Sequence, residues 1–266
     1  MKMGQLAMLV LVLALALSCT IQTPAPTPTP EPKADPTPNP EVESKAAIVD
    51  QLYTLKQNQT FIEQTTRYLE GYGFEVDLYQ GNDVTVDLYR KLPTYGYKLI
   101  IFRVHSGLLG GEDVANRTWL FTSEQYSKNK YVTEQLTDKV TYAGTHPGSP
   151  IVYAIGAKFI TESMKGQFSN TAVIMMGCAG LFIEDVAQAL VQKGASTYMG
   201  WDIVVGLSYV DEATMVLVNK LCTEELAIAK AVSETMEEEG PDPEYGAVLR
   251  YYPGQSGDKN LRQLID

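Results

Sequence analysis

Two residues have both the type and the setting for nucleophilic chemistry. His105 follows the run YKLIIFRV and precedes Ser106-Gly107, while Cys178 follows TAVIMMG and precedes Ala179-Gly180. A cysteine attacks as its thiolate, and an imidazole or a helix N-terminus beside it raises the reactive fraction. Gly107 and Gly177 let backbone approach a substrate closely, and the amides of Gly107 and Cys178 could face a developing oxyanion. The remaining candidates are few. With 2 His, 3 Cys and neither CxxC nor HExxH, the chain has little material for a zinc site or a disulfide framework, and Cys/His chemistry requires no cofactor. Cys222 falls within a predicted helix, where a thiol is ordinary packing, and His146, in THPG, follows no strand and reads as a loop residue. GxSxG, Walker A and GxGxxG motifs are absent, which weakens serine-hydrolase and nucleotide-binding readings.

The elements around these residues follow from periodicity. Residues 47–52 read as a strand, and apolar residues from Phe61 to Tyr72 recur at helical spacing until Gly73 can end the helix. Residues 74–79 form a second strand, 84–92 a short helix stopped at Pro93, and 97–104 a third strand rich in β-formers. This βαβαβ order argues for a parallel sheet covered on both faces, with the chemistry at the carboxyl ends of its strands. Residues 108–150 are turn-rich and read as an insertion over one sheet edge, with an edge strand at 118–122. Strand 171–176 then breaks into GCAG, and a helix with Ile183, Val186, Ala187, Leu190 and Val191 on one face follows, which puts Cys178 before a helix N-terminus. Residues 195–201 are the next strand, 211–239 one or two helices, and 247–251 a possible last strand.

At LIIFRVHSG and AVIMMGCAG, with His105 and Cys178 73 residues apart, the chain resembles the caspase-like (clan CD) cysteine peptidases, which include clostripain, gingipains, legumain and separase. The shared pattern is an apolar strand ending in His-Gly and a second ending in cysteine. The second block is especially similar to the separase and CHAT form, Gly-Cys-x-Gly after apolar residues, and the similarity runs through GASTYMGW over roughly residues 46–252. The resemblance implies an α/β three-layer sandwich with a mostly parallel central sheet and helices on both faces. It also implies a Cys178/His105 dyad, no cofactor, and a peptide or protein as substrate. Many members have His-Gly directly; here Ser106 intervenes, so the oxyanion amide can come from Ser106 or Gly107, with Gly177 beside the nucleophile. Relatives line the pocket for the side chain preceding the cut just after the strand that follows the cysteine, here Trp201-Asp202. The clostripain-like branch selects Lys or Arg with an acid two residues before the nucleophile, a position held here by Met176. If Asp202 faces the pocket, a basic preference results; if it faces solvent, Trp201 and Met176 make an apolar pocket.

Upstream, Met1-Lys2 precedes an apolar run over residues 7–17, too short for a comfortable membrane span, that ends in Leu17-Ser18-Cys19. A small residue before cysteine resembles the bacterial lipoprotein box. Residues 1–18 therefore read as a signal peptide and Cys19 as a lipidated mature N-terminus, with an ordinary secretory signal as the alternative. Residues 19–43 continue as a linker: 8 of the 14 prolines fall within residues 20–40, and at about 3.1 Å per residue such a tract reaches roughly 65 Å. The caspase-like peptidase domain is assigned to residues 44–266. The whole chain carries −11 and residues 41–266 carry the same −11, the wrong sign for sequence-independent nucleic-acid binding. The leading expectation is an exported cysteine endopeptidase, anchored through Cys19 to the outer face of the cytoplasmic membrane or the cell surface. The alternatives are a caspase-like module that binds or supports without cleaving, and a small-ligand receptor, which generally needs two lobes and more chain.

Overall fold

The computed structural model describes residues 44–109 and 117–266; the signal segment, Cys19 and the linker lie outside the described residues. In chain order, β1 (Ser44–Asp50), α1 (Gln59–Tyr72), β2 (Phe74–Gln80), α2 (Val86–Lys91) and β3 (Tyr97–Arg103) make the anticipated βαβαβ start. There follow β4 (Ser106–Leu109), β5 (Arg117–Gln125), α3 (Val132–Leu136), β6 (Val140–Ala143), β7 (Val152–Gly156) and α4 (Ala157–Ser163). The chain closes with β8 (Thr171–Met175), α5 (Asp185–Gln192), β9 (Ala195–Trp201), α6 (Leu207–Cys222), α7 (Ile228–Glu239), β10 (Leu249–Tyr252) and α8 (Leu261–Ile265).

The main sheet has six strands in the order β10-β9-β8-β3-β1-β2, all parallel except β10, which runs antiparallel to β9. Strands covered on both faces must be apolar on both, and the register shows it. Ile48, Ile101, Ile174 and Met199 lie side by side across four strands on one face, and Ala47, Ile100, Val173 and Tyr198 on the other. The first row packs with α1, α6, α7 and α8 through Phe61, Leu69, Leu217, Ala231 and Leu261. The second packs with α2, α4 and α5 through Leu88, Phe159 and Leu190. Local signals fix the helices. Asn58 accepts the Phe61 amide at 3.1 Å to open α1, and Gly73 closes it at φ 108°, a left-handed conformation suited to glycine.

Three expectations need correcting. The 108–150 region is not an insertion over an edge: β4, β5, β7 and β6 form a second, four-stranded antiparallel sheet in that order. Its Leu120, Val140, Tyr153 and Ile155 join the same hydrophobic cluster as α2, α4 and α5, and β5 is an interior strand rather than an edge. The stretch 211–239 holds two helices, one of the two arrangements anticipated, but α6 starts four residues earlier than expected, and the last strand begins at Leu249 rather than at 247. Finally, α5 starts at Asp185, seven residues beyond Cys178, rather than directly after it.

Candidate active site

The histidine side of the site rests on a buried ion cluster at the carboxyl end of β3. Arg103 is fully buried; its Nε and Nη2 donate to Asp211 at 2.8 and 2.9 Å, and its Nη1 donates to Asp50 at 2.7 Å. Nη2 also reaches the Lys56 carbonyl at 3.0 Å, and Asn58, the cap of α1, donates to Asp211 at 2.9 Å. The ends of β1 and β3 and the starts of α1 and α6 are thereby joined two residues before His105. The His105 amide then donates to Gln51 Oε1 at 2.9 Å, and its carbonyl accepts from the Phe121 amide at 2.9 Å. With its backbone fixed from both sides, His105 marks the point where the chain leaves the main sheet for the second one. The ring sits 5.9 Å from the Phe121 ring, Nε2 is buried without a hydrogen-bond partner, and burial pushes the imidazole pKa below 6.5.

The cysteine side continues β8, every residue of which is buried. The Met176 amide donates to the Phe102 carbonyl at 2.9 Å, extending the β3–β8 ladder by one step. Gly177 then passes directly under the histidine loop. A Cβ there would stand 2.4 Å from Ser106 Oγ and 2.7 Å from the Val104 carbonyl, so no side chain fits. Across this contact Ser106 Oγ donates to the Cys178 carbonyl at 2.5 Å. Ala179 follows at φ 53°, a conformation strained for a residue with a Cβ, and its amide is held by the Ile203 carbonyl at 2.8 Å. Cys178 is half-buried, and its Sγ lies 3.7 Å from the Val205 carbonyl, its hydrogen-bond acceptor. Burial raises the thiol pKa above its ordinary 9.0, with the nearby Asp242 carboxylate adding to the shift. The net shift is upward, opposite to the lowering expected from the sequence. Cys222 is 5% exposed on α6, and burial pushes its thiol to about 12.

Register separates the two oxyanion candidates on the histidine loop. Phe121 N–H bonds His105 O and Ser106 pairs with Leu120, so antiparallel geometry directs Gly107 N–H to the Trp119 carbonyl. Gly107 is thus used by the sheet, while Ser106 N–H turns toward the open edge of β4. A Cβ on Gly107 would meet only Phe121 at 3.8 Å, so close approach does not require glycine there. The anticipated pocket residues fall elsewhere. Met176 and Trp201 are 2% and 1% exposed within the core, Trp201 packing edge-on to Tyr209, and neither offers surface to a ligand. Asp202 continues the β9–β10 ladder: one carboxylate oxygen accepts the Val248 amide at 2.8 Å and the other faces Arg250 at 3.4 Å. His146 is an exposed loop residue whose Nδ1 lies 3.0 Å from the Pro147 carbonyl.

Sequence reasoning missed Gln51, Val205 and Asp242. Gln51 directly follows β1, and the carboxyl end of a parallel strand is the one signal that could have marked it. Among the described residues no group of three or more His, Cys, Asp or Glu is arranged to hold a metal ion, and no helix is long and apolar enough to cross a membrane. A cleft of about 380 Å3 between α1, α6 and α7, lined by Gln64, Tyr68, Glu212 and Met215 among others, contains neither His105 nor Cys178. No protein-family model matches the chain, and no curated protein matches it in sequence.

Proposed function

We propose that the chain is a cysteine endopeptidase of the caspase-like class, exported and tethered to the membrane through lipidated Cys19. The observation that carries this reading is the junction between the loops after adjacent parallel strands β3 and β8: the Ser106 hydroxyl on the Cys178 carbonyl over a glycine with no room for a side chain. It brings the segment bearing the imidazole and the segment bearing the thiol into contact. The chemistry then starts from two neutral groups. Cys178 Sγ attacks the scissile carbonyl carbon as its proton passes to the imidazole, which burial keeps unprotonated at neutral pH. The tetrahedral oxygen is held by backbone amides, with Ser106 and Cys178 as donors and Gly177 giving the space. His105 returns the proton to the departing amine, leaving a thioester on Cys178. Water, deprotonated by the same imidazole, cleaves the thioester and restores the thiol. In this resting state the thiol bonds Val205 rather than the imidazole, so substrate must complete the alignment, as is common for unliganded sites.

The test is hydrolysis of a mixed peptide library by the full chain. Cleavage that disappears in both Cys178→Ala and His105→Ala, with folding retained, is the expected result; cleavage that survives either change defeats the assignment. A second reading, a binding module that does not cleave, is favoured by the upward-shifted thiol and its bond to Val205. Binding of peptides without release of new termini would support it.

A further inference from the structure

The buried and half-buried charges around Cys178 are already occupied. Asp202 is held by Val248 and Arg250. Asp242 is 3% exposed; one oxygen accepts the Gly206 amide at 2.7 Å, and the other accepts the amides of Glu244 and Tyr245 at 2.8 Å each. Asp50 and Asp211 are buried on Arg103. Glu244 is exposed on the same turn, and its carboxylate beside the Tyr245 hydroxyl raises the phenol pKa. The connectivity fixes where the turn lies. Cys178 Sγ bonds the carbonyl of Val205, the next residue Gly206 bonds Asp242, and Asp242 in turn holds Tyr245. Beside this chain of contacts, Val204 and Tyr245 are 47% and 45% exposed, among the few large apolar side chains left open to solvent.

Resting on the peptidase reading above, we propose that Val204 and Tyr245 form the wall that receives the substrate side chain next to the scissile bond, and that this side chain is large and apolar or aromatic. A Lys or Arg brought here meets only the solvent-exposed Glu244, and an exposed ion pair offsets little of the cost of desolvating a cation. An Asp meets no free cation, because Arg250 is engaged by Asp202. A leucine or phenylalanine instead removes valine methyls and a tyrosine ring from water along with itself. This reverses the basic preference that Asp202 would have conferred.

The test uses the full chain carrying Cys178→Ala and four fluorescein-labelled hexapeptides that differ at one position, Phe, Leu, Lys or Asp, with binding read by anisotropy. The Phe and Leu peptides should bind about tenfold or more tightly than the other two. Adding Tyr245→Ala or Val204→Ser should remove that advantage while leaving the Lys and Asp peptides unchanged. Tighter binding of Lys or Asp, no binding of any of the four, or an equal loss for all in Tyr245→Ala overturns the proposal. Hydrolysis of the same peptides by the unaltered chain separates the two readings. Apolar-selective binding without cleavage would sink catalysis alone, and cleavage confined to the Lys peptide would sink the apolar wall alone.

Discussion

The proposed mechanism starts from a neutral thiol and a neutral imidazole, and its pH dependence follows from both. Burial lowers the proton affinity of His105, so its base form persists to more acidic pH than an ordinary histidine allows. The acid limb of kcat/KM should therefore lie below 6.5; a limb above that value would contradict a buried imidazole base. Burial moves Cys178 the other way, above 9.0, so little free thiolate exists at neutral pH. Cys222, at about 12 and 5% exposed, should still alkylate far more slowly than half-buried Cys178. Iodoacetamide labelling at neutral pH with peptide mapping checks this, and equal rates would remove Cys178 from the site. In the proposed mechanism the Ser106 hydroxyl acts by positioning, through its hydrogen bond to the Cys178 carbonyl. Ser106→Ala should lower kcat about tenfold through misplacement of the nucleophile, with KM and Tm little changed. Parallel loss of Tm and kcat would reduce Ser106 to a structural role.

At the level of elements, the site is a junction between two strand ends, and Gly177 is where that junction is tightest. Gly177→Ala puts a Cβ against Ser106 Oγ and the Val104 carbonyl. It should cost about 1–3 kcal/mol of stability by overpacking, measured by urea unfolding, and should abolish hydrolysis by parting the loops. The strands that flank the junction were legible in the sequence because burial on both faces demands unbroken apolar runs such as LIIF and AVIM. The second sheet was not. β4 and β6 have four residues each, too few for an alternation to stand out, and a turn-rich stretch separates β6 from β7. His105 and Cys178 stood out as candidates because their side chains carry chemistry and each follows an apolar strand. Gln51, Val205 and Asp242 did not, since they act through amides and carbonyls of residues remote in sequence. Met176 and Trp201 were misassigned for a related reason: position after a strand does not reveal which face a side chain takes, and both face the core.

Over the whole molecule, the Arg103 cluster joins β1, β3, α1 and α6 beneath the site. Removing one member strands a buried charge, so Arg103→Ala should destabilise the fold by about 3–5 kcal/mol, read by urea denaturation, whereas a change below about 1 kcal/mol would show the cluster to be solvated. If Cys19 carries the anchor, mass spectrometry of the mature chain should find a lipidated N-terminal Cys19, and an unmodified internal Cys19 would refute the tether. The central claim, that Cys178 and His105 act as one catalytic pair, is tested most directly by the rate at which a peptidyl acyloxymethylketone inactivates the full chain and its His105→Ala variant, with the modified residue mapped. The account predicts modification at Cys178 alone, slowed by about 10²-fold or more without the imidazole. Modification at Cys178 and Cys222 alike, or at a rate indifferent to His105, would contradict it.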